Sequence, residues 1–154
     1  MKVFKTLLFW FILCTWGIIS TIIGFVMFLG MKMQGYKSYL YKGTIVTYMN
    51  PRIGAGVNFG LFIFVSQGCD GLVPHEWGHA IQTCIWGPLF MLVIGIPSFI
   101  RFKYRERMYK RTEDIVLSPY DSIWFEGQAT RWGDKYREND SLISTATVVR
   151  KNKV

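Results

Sequence analysis

His75-Glu76-Trp77-Gly78-His79 holds both of the chain's histidines, four residues apart. At about 100° per residue on an α-helix, positions i and i+4 lie about 40° apart on one face, one turn above the other. Two imidazoles so placed can grip one zinc ion, and Glu76 between them can reach a water on that metal. By composition the H-E-x-x-H pattern arises by chance in well under about 1% of chains of this length. The competing reading is a helix that merely carries two histidines and a carboxylate.

Working outward, the spacing predicts a helix from near Leu72 to about Trp86. Asp70 is a candidate cap, Pro74 is tolerated in the first turn, and Gly87-Pro88 stops the helix. On its wheel Gln82 shares the histidine face. Gly78 flanks that face, where a bare backbone permits close approach of a neighbour. A catalytic zinc wants three protein ligands and an open position, so with no third histidine a carboxylate must serve. Glu106, Glu113, Asp114, Asp134 and Glu138 sit in polar or strongly charged runs. Glu126 instead lies in Ile123-Trp124-Phe125-Glu126-Gly127-Gln128-Ala129, an apolar and aromatic setting. A carboxylate there needs a strong partner, a metal or failing that an Arg or Lys. Its helix is expected to open at Ser118-Pro119-Tyr120-Asp121 as a capping box and run to about Tyr136. Ile123, Glu126, Thr130 and Gly133 fall along one stripe of it. Of the cysteines, Cys14 lies in an apolar run and Cys84 points away from the histidines. Cys69 precedes the helix as a weak ligand candidate, and no disulfide framework exists.

The chain has 154 residues, 51% hydrophobic and 17% aromatic, enough for one modest domain and a membrane segment. Residues 6–31 contain no charge. As one helix they would rise about 39 Å, enough to cross a bilayer core of about 30 Å. The run is too long for a typical signal-peptide core and no small-x-small cleavage site follows, so an uncleaved anchor is expected. Gly17, Gly24 and Gly30 could make a packing face on it. Residues 39–49 and 57–66 read as two strands of one antiparallel hairpin, broken by Asn50-Pro51 and Gly54-Ala55-Gly56. An edge of that hairpin beside a zinc site offers backbone pairing to an extended peptide.

The net charge of +8 is concentrated locally. Arg101, Lys103, Arg105, Arg107, Lys110 and Arg111 suggest contact with anionic lipid headgroups, the alternative being a solvated helical face. A nucleic-acid partner is not expected, since no binding module accompanies the charge. Between motif and basic run, residues 85–100 are apolar but short and broken by Gly87, Pro88, Gly95 and Pro97. A segment of that kind fits a buried, interfacial or re-entrant path better than a crossing. A crossing would also put His75 and Glu126 on opposite sides of the membrane. The basic run and Lys2 with Lys5 give opposite positive-inside cues, leaving the side open.

His75-Glu76-x-x-His79 followed by Glu126-x-x-Ala129 resembles the gluzincin pattern of membrane metallopeptidases. The nearest type is the HtpX and CAAX-prenyl-endopeptidase group, with H-E-x-x-H then E-x-x-A-D. The resemblance implies zinc on His75, His79 and Glu126, with Glu76 as catalytic base. Thr130 stands where that group has an aspartate steadying a ligand histidine, a departure that bears on full activity. The H-E-x-G-H-x-x-Q run, Gly87-Pro88-Leu89, Gly95-Ile96-Pro97-Ser98 and the Glu126 helix are also similar to small bacterial membrane proteins, over roughly residues 57–133. The expectation is therefore an α+β fold. It has an N-terminal transmembrane helix (1–32), then a β-hairpin and two packed helices forming a zincin-like minimal site (33–136), then a polar basic tail (137–154). The expected protein is a single-pass, membrane-anchored zinc peptidase of a bacterial inner membrane, acting on a peptide or protein substrate. Tyr104, Tyr109, Tyr120 and Arg131 are candidates to stabilise an oxyanion. The alternative is a non-catalytic membrane accessory protein with a structural or vestigial metal site. An intramembrane protease of the site-2 type is disfavoured, because no Leu-Asp-Gly motif follows.

Overall fold

Two short turns divide what reads as two strands into four. Lys42 and Gly43 have φ of 46° and 86°, the left-handed pair that a type I′ hairpin turn requires. They join β1 (Ser38–Tyr41) to β2 (Thr44–Met49). Gly60, with φ of 60°, opens the second two-residue turn, between β3 (Gly56–Phe59) and β4 (Phe62–Ser66). The expected single hairpin is thus two hairpins, and their inner strands pair parallel, Ile45 with Phe62 through Met49 with Ser66. The sheet order is β1-β2-β4-β3, which leaves β3 on an edge. The computed structural model describes residues 2–111 and 117–137. Glu113, Asp114, Glu138 and the expected tail beyond 137 lie outside them.

β4 is buried along its whole length, which accounts for its unbroken Phe-Ile-Phe-Val run. Ile63 and Val65 join Val46 and Tyr41 against Val73 and Trp77 of α3 (Val73–Trp86). Phe62 meets the rings of Phe25 and Phe28, at centroid distances of 6.0 and 5.3 Å. Each such apolar side chain contributes roughly 1.5–3 kcal/mol when fully buried.

Those two phenylalanines belong to the N-terminal segment, which is not one straight helix. It breaks at residues 16–17 into α1 (Lys2–Thr15) and α2 (Ile18–Met33), bent by 93°. Specific contacts hold the bend. Thr21 Oγ1 donates to Leu13 O at 2.8 Å, and Trp10 Nε1 donates to Gly43 O at 2.6 Å. Gly24 lies where a Cβ would come within 2.6 Å of Phe59 O, and at Gly17 one would come within 2.9 Å of Thr83. The expected packing face is therefore made by two of its three glycines, since nothing lies near Gly30. Among the described residues no single helix is long and apolar enough to cross a membrane. The outer faces of α1 and α2 nonetheless carry exposed Val3, Phe4, Phe11, Ile22 and Val26.

α3 begins at Pro74's predicted turn and ends at Gly87, whose φ of 51° lets the chain leave the helix. Asp70 does not cap it; its carboxylate accepts from Tyr48 Oη at 2.6 Å instead. A π-helical turn, Met91–Gly95, leads into α4 (Ile96–Arg111), and the chain bends by 116° between α3 and α4. The apolar stretch 85–100 is accordingly a sharp corner, with Ile85, Leu92, Phe99 and Ile100 exposed. The last helix, α5 (Trp124–Arg137), starts later than the expected capping box. Pro119 is extended (φ −48°, ψ 144°), and Ser118 offers its carbonyl to Arg105 rather than its hydroxyl to a helix end.

Candidate metal centre

α3 and α5 pack at backbone distance because each sets a glycine against the other's backbone. A Cβ on Gly78 would lie 2.2 Å from Ala129 O, and one on Gly133 would lie 2.3 Å from Pro74 O. This contact brings residue 126 to the histidines, 51 and 47 residues away in sequence. His75 Nε2 and His79 Nε2 lie 3.1 and 3.3 Å from Glu126 Oε2, and 3.2 Å from each other. A tetrahedral zinc with bonds of about 2.0–2.2 Å separates its ligands by about 3.3–3.6 Å, so the triangle is close to the right size. The residues expected to converge do converge, and they form a candidate metal-holding group.

Proton counting favours a cation between them. Gln82 Nε2 donates to Phe125 O at 2.8 Å and to Gln128 Oε1 at 2.9 Å, which fixes the amide's orientation. Gln82 Oε1 then accepts from His79 Nδ1 at 2.7 Å, so a neutral His79 has a bare lone pair on Nε2. That lone pair faces a carboxylate oxygen. His75 Nδ1 is 3.0 Å from Thr130 Oγ1, which steadies that ring. Glu126 is supported from α4, where Ser98 Oγ donates to its Oε1 at 2.5 Å. Burial works to raise the pKa of Glu126, but the close approach of His75 and His79 and the Ser98 hydroxyl outweigh it. They hold the carboxyl well below its usual range. Each member of the group thus has one orienting partner, the arrangement that fixes ring and carboxylate geometry at metal sites.

Glu76 is buried, one turn position along from His75. Burial pushes its carboxyl up to about 7, with His75 opposing and Glu126 reinforcing the rise. That range suits proton transfer near neutral pH. The carboxyl rests against the edge strand: a Cβ on Gly56 would lie 2.6 Å from Glu76 Oε1. Glycine at 56 is what leaves room for it.

A cleft of about 1190 Å³ opens onto His75, Glu76 and His79. Met27, Met49, Phe59, Phe90, Ile94 and Phe99 supply apolar walls, and β3 runs along it. Of the four oxyanion candidates, Tyr120 alone stands beside the ligands, its ring 6.4 Å from that of His75. Burial raises its phenol to about 12, so it stays a donor. Tyr109 lines the cleft farther out, while Tyr104 is exposed and Arg131 sits on the outer side of α5. Cys69 and Cys84 are not in the group, and Glu106 is tied at the surface to Lys103 and Lys110. Asp134 reaches only the cleft wall. Ser98 escaped the sequence reading. Its signals are its place in Gly95-Ile96-Pro97-Ser98 and the spacing Ser98, Arg101, Arg105, which is i, i+3, i+7 on one face of a helix.

Comparison with protein-family models, with characterised proteins and with solved structures finds no match.

Proposed function

We propose that the chain is a membrane-associated, zinc-dependent peptidase of the gluzincin type. The observation that carries the reading is the 3.1–3.3 Å triangle of His75 Nε2, His79 Nε2 and Glu126 Oε2. Zinc held there would supply Lewis acidity, polarising a scissile carbonyl and bringing the pKa of water toward about 7. Glu76 takes the proton of the attacking water and returns it to the leaving amine. Tyr120 is the donor best placed to meet the developing oxyanion. An extended peptide adds to the free edge of β3, so N-methylating its backbone should weaken cleavage more than varying its side chains.

The membrane part of the reading rests on the exposed apolar faces of α1 and α2. At 14 and 16 residues each is about 20–24 Å long, too short to cross a bilayer core of about 30 Å. A shallow, bent insertion in the bacterial inner membrane fits better than a single pass. The lipid-facing part of the basic run then falls to Lys103, Arg107, Lys110 and Arg111. Arg101 and Arg105 turn inward to the 118–122 loop.

A zinc-holding accessory protein without turnover is the second reading. It is favoured by Thr130, which stands where the resembled family has an aspartate. Elemental analysis of wild type and Glu126→Ala tests the metal and its third ligand together. Cleavage of an unstructured casein-type substrate, with Glu76→Gln as the inactive control, separates the two readings. Zinc with cleavage lost in Glu76→Gln supports the peptidase. Zinc without cleavage supports the accessory protein, and no zinc at all sinks both.

A further inference from the structure

Ser98, Arg101 and Arg105 occupy one face of α4, and all three point at the site or at the loop that covers it. Ser98 Oγ lies 2.5 Å from Glu126 Oε1 and 3.2 Å from Tyr120 Oη. A serine hydroxyl has one proton. The short bond to Glu126 Oε1 takes that proton, so the phenol proton of Tyr120 goes to the serine oxygen. The result is a directed chain, Tyr120 to Ser98 to Glu126. The two arginines fix its outer end. Arg101 donates to Pro119 O at 2.8 Å, to Tyr120 O at 3.2 Å and to Ser122 Oγ at 3.0 Å; Arg105 donates to Ser118 O at 2.5 Å. Their guanidinium carbons stand 5.7 and 5.6 Å from the Tyr120 ring centroid.

We propose that Ser98 is a positioning residue for the metal. By occupying Oε1 it leaves Glu126 only Oε2 to offer, keeping the carboxylate monodentate and one coordination position open. The proposal rests on the metal reading above. A carboxylate with both oxygens free tends toward two-oxygen coordination, which would fill the position a substrate needs. A hydroxyl supplied from a helix that carries no ligand blocks that movement, and the arginine-held Tyr120 blocks rotation of the serine away from it.

The test uses the full chain in detergent, as wild type, Ser98→Ala, Ser98→Thr and Tyr120→Phe. Zinc affinity is measured by competition with a chelator, and coordination number by the visible spectrum of the Co²⁺-loaded protein. Wild type should give the intense bands of four-coordinate cobalt. Ser98→Ala should give weaker, five-coordinate bands and lose about 10–100-fold in zinc affinity. Ser98→Thr keeps a hydroxyl on the same carbon and should restore both. Tyr120→Phe should fall between, because Ser98 keeps its bond to Glu126 but loses its own donor. Melting of the metal-free proteins identifies a variant that has simply unfolded, in which case the Ser98→Thr and Tyr120→Phe results decide. A Ser98→Ala protein with zinc affinity within about two-fold of wild type and an unchanged cobalt spectrum overturns the proposal while leaving the metal site standing. A wild type that takes up neither metal overturns the metal reading, and this inference with it.

Discussion

Gly78→Ala concentrates the argument for the site in one methyl group. The new Cβ would lie 2.2 Å from Ala129 O and 2.7 Å from both Ala129 C and Cα, where ordinary contact begins at 3.4 Å. The clash is with backbone on both sides, so no side chain can swing aside. α3 and α5 must separate by about 1.2 Å at the crossing. Metal–ligand distances tolerate only about 0.2 Å, and Glu126 sits one turn before Ala129 on the moving helix. Overpacking of this kind costs about 1–3 kcal/mol. At about 2–4 °C per kcal/mol for a chain of this size, melting should fall by roughly 2–12 °C. Zinc affinity should fall at least about tenfold, since Glu126 Oε2 no longer stays near both imidazoles. Thermal melting with and without zinc, with chelator competition, reads both effects. Gly30→Ala is the control: nothing lies within 4 Å, and alanine favours a helix by about 0.5–1 kcal/mol, so melting should hold or rise. A Gly78→Ala protein that melts and binds zinc like wild type would refute the claim that interhelix spacing sets the site.

Three further outcomes follow from the same geometry. Gly56→Ala should fold and keep its zinc, because the Cβ meets only the movable end of Glu76; hydrolysis should drop about 100-fold from displacement of the base, read as kcat with metal content unchanged. In metal-free protein Glu76 holds its proton up to about pH 7, against 4.5 unfolded, so its stabilising contribution is full below about pH 4.5 and gone above about 7. Relative to Glu76→Gln, wild type should therefore lose on the order of 3 kcal/mol across that window; a pH-independent difference in melting between the two would count against a buried carboxyl. Gln82→Ala removes the acceptor of His79 Nδ1 and the donor to Phe125 O, so zinc affinity should fall about 10–100-fold and metal-free stability by about 1–3 kcal/mol, measured by chelator competition and denaturant unfolding.

The parts of the site that depend on local spacing were readable from the sequence. His75, His79 and Gln82 share a face because helical periodicity dictates it, and Gly87-Pro88 ends the helix for steric reasons confined to its own backbone. Glu126 was found by the mismatch between a carboxylate and its apolar neighbours. What the sequence hid depends on partners far along the chain. Lys42 takes a left-handed conformation that non-glycine residues rarely adopt, so the turn that splits β1 from β2 had no clear marker. The bend at residues 16–17 is fixed by Thr21, Gly24 and Trp10 against other elements, while apolar composition alone reads as one helix. The capping residues at 118–121 had the right types, yet Arg101 and Arg105 claim that loop first. Ser98 closes a recognisable Gly-Ile-Pro-Ser run, but nothing ties it to Glu126 until α4 is folded back across the site.

The seam between α2 and β4 has a practical meaning for anyone preparing the protein. Phe25 and Phe28 cover Phe62, Gly24 fits under Phe59, and Thr21 lies against the Gly60 turn. Deleting the first thirty-odd residues to obtain a water-soluble fragment would strip the central strand of its cover and leave an aggregation-prone surface. The leading helices act as one wall of the half that carries the candidate site, so preparations should retain them and supply detergent or lipid instead.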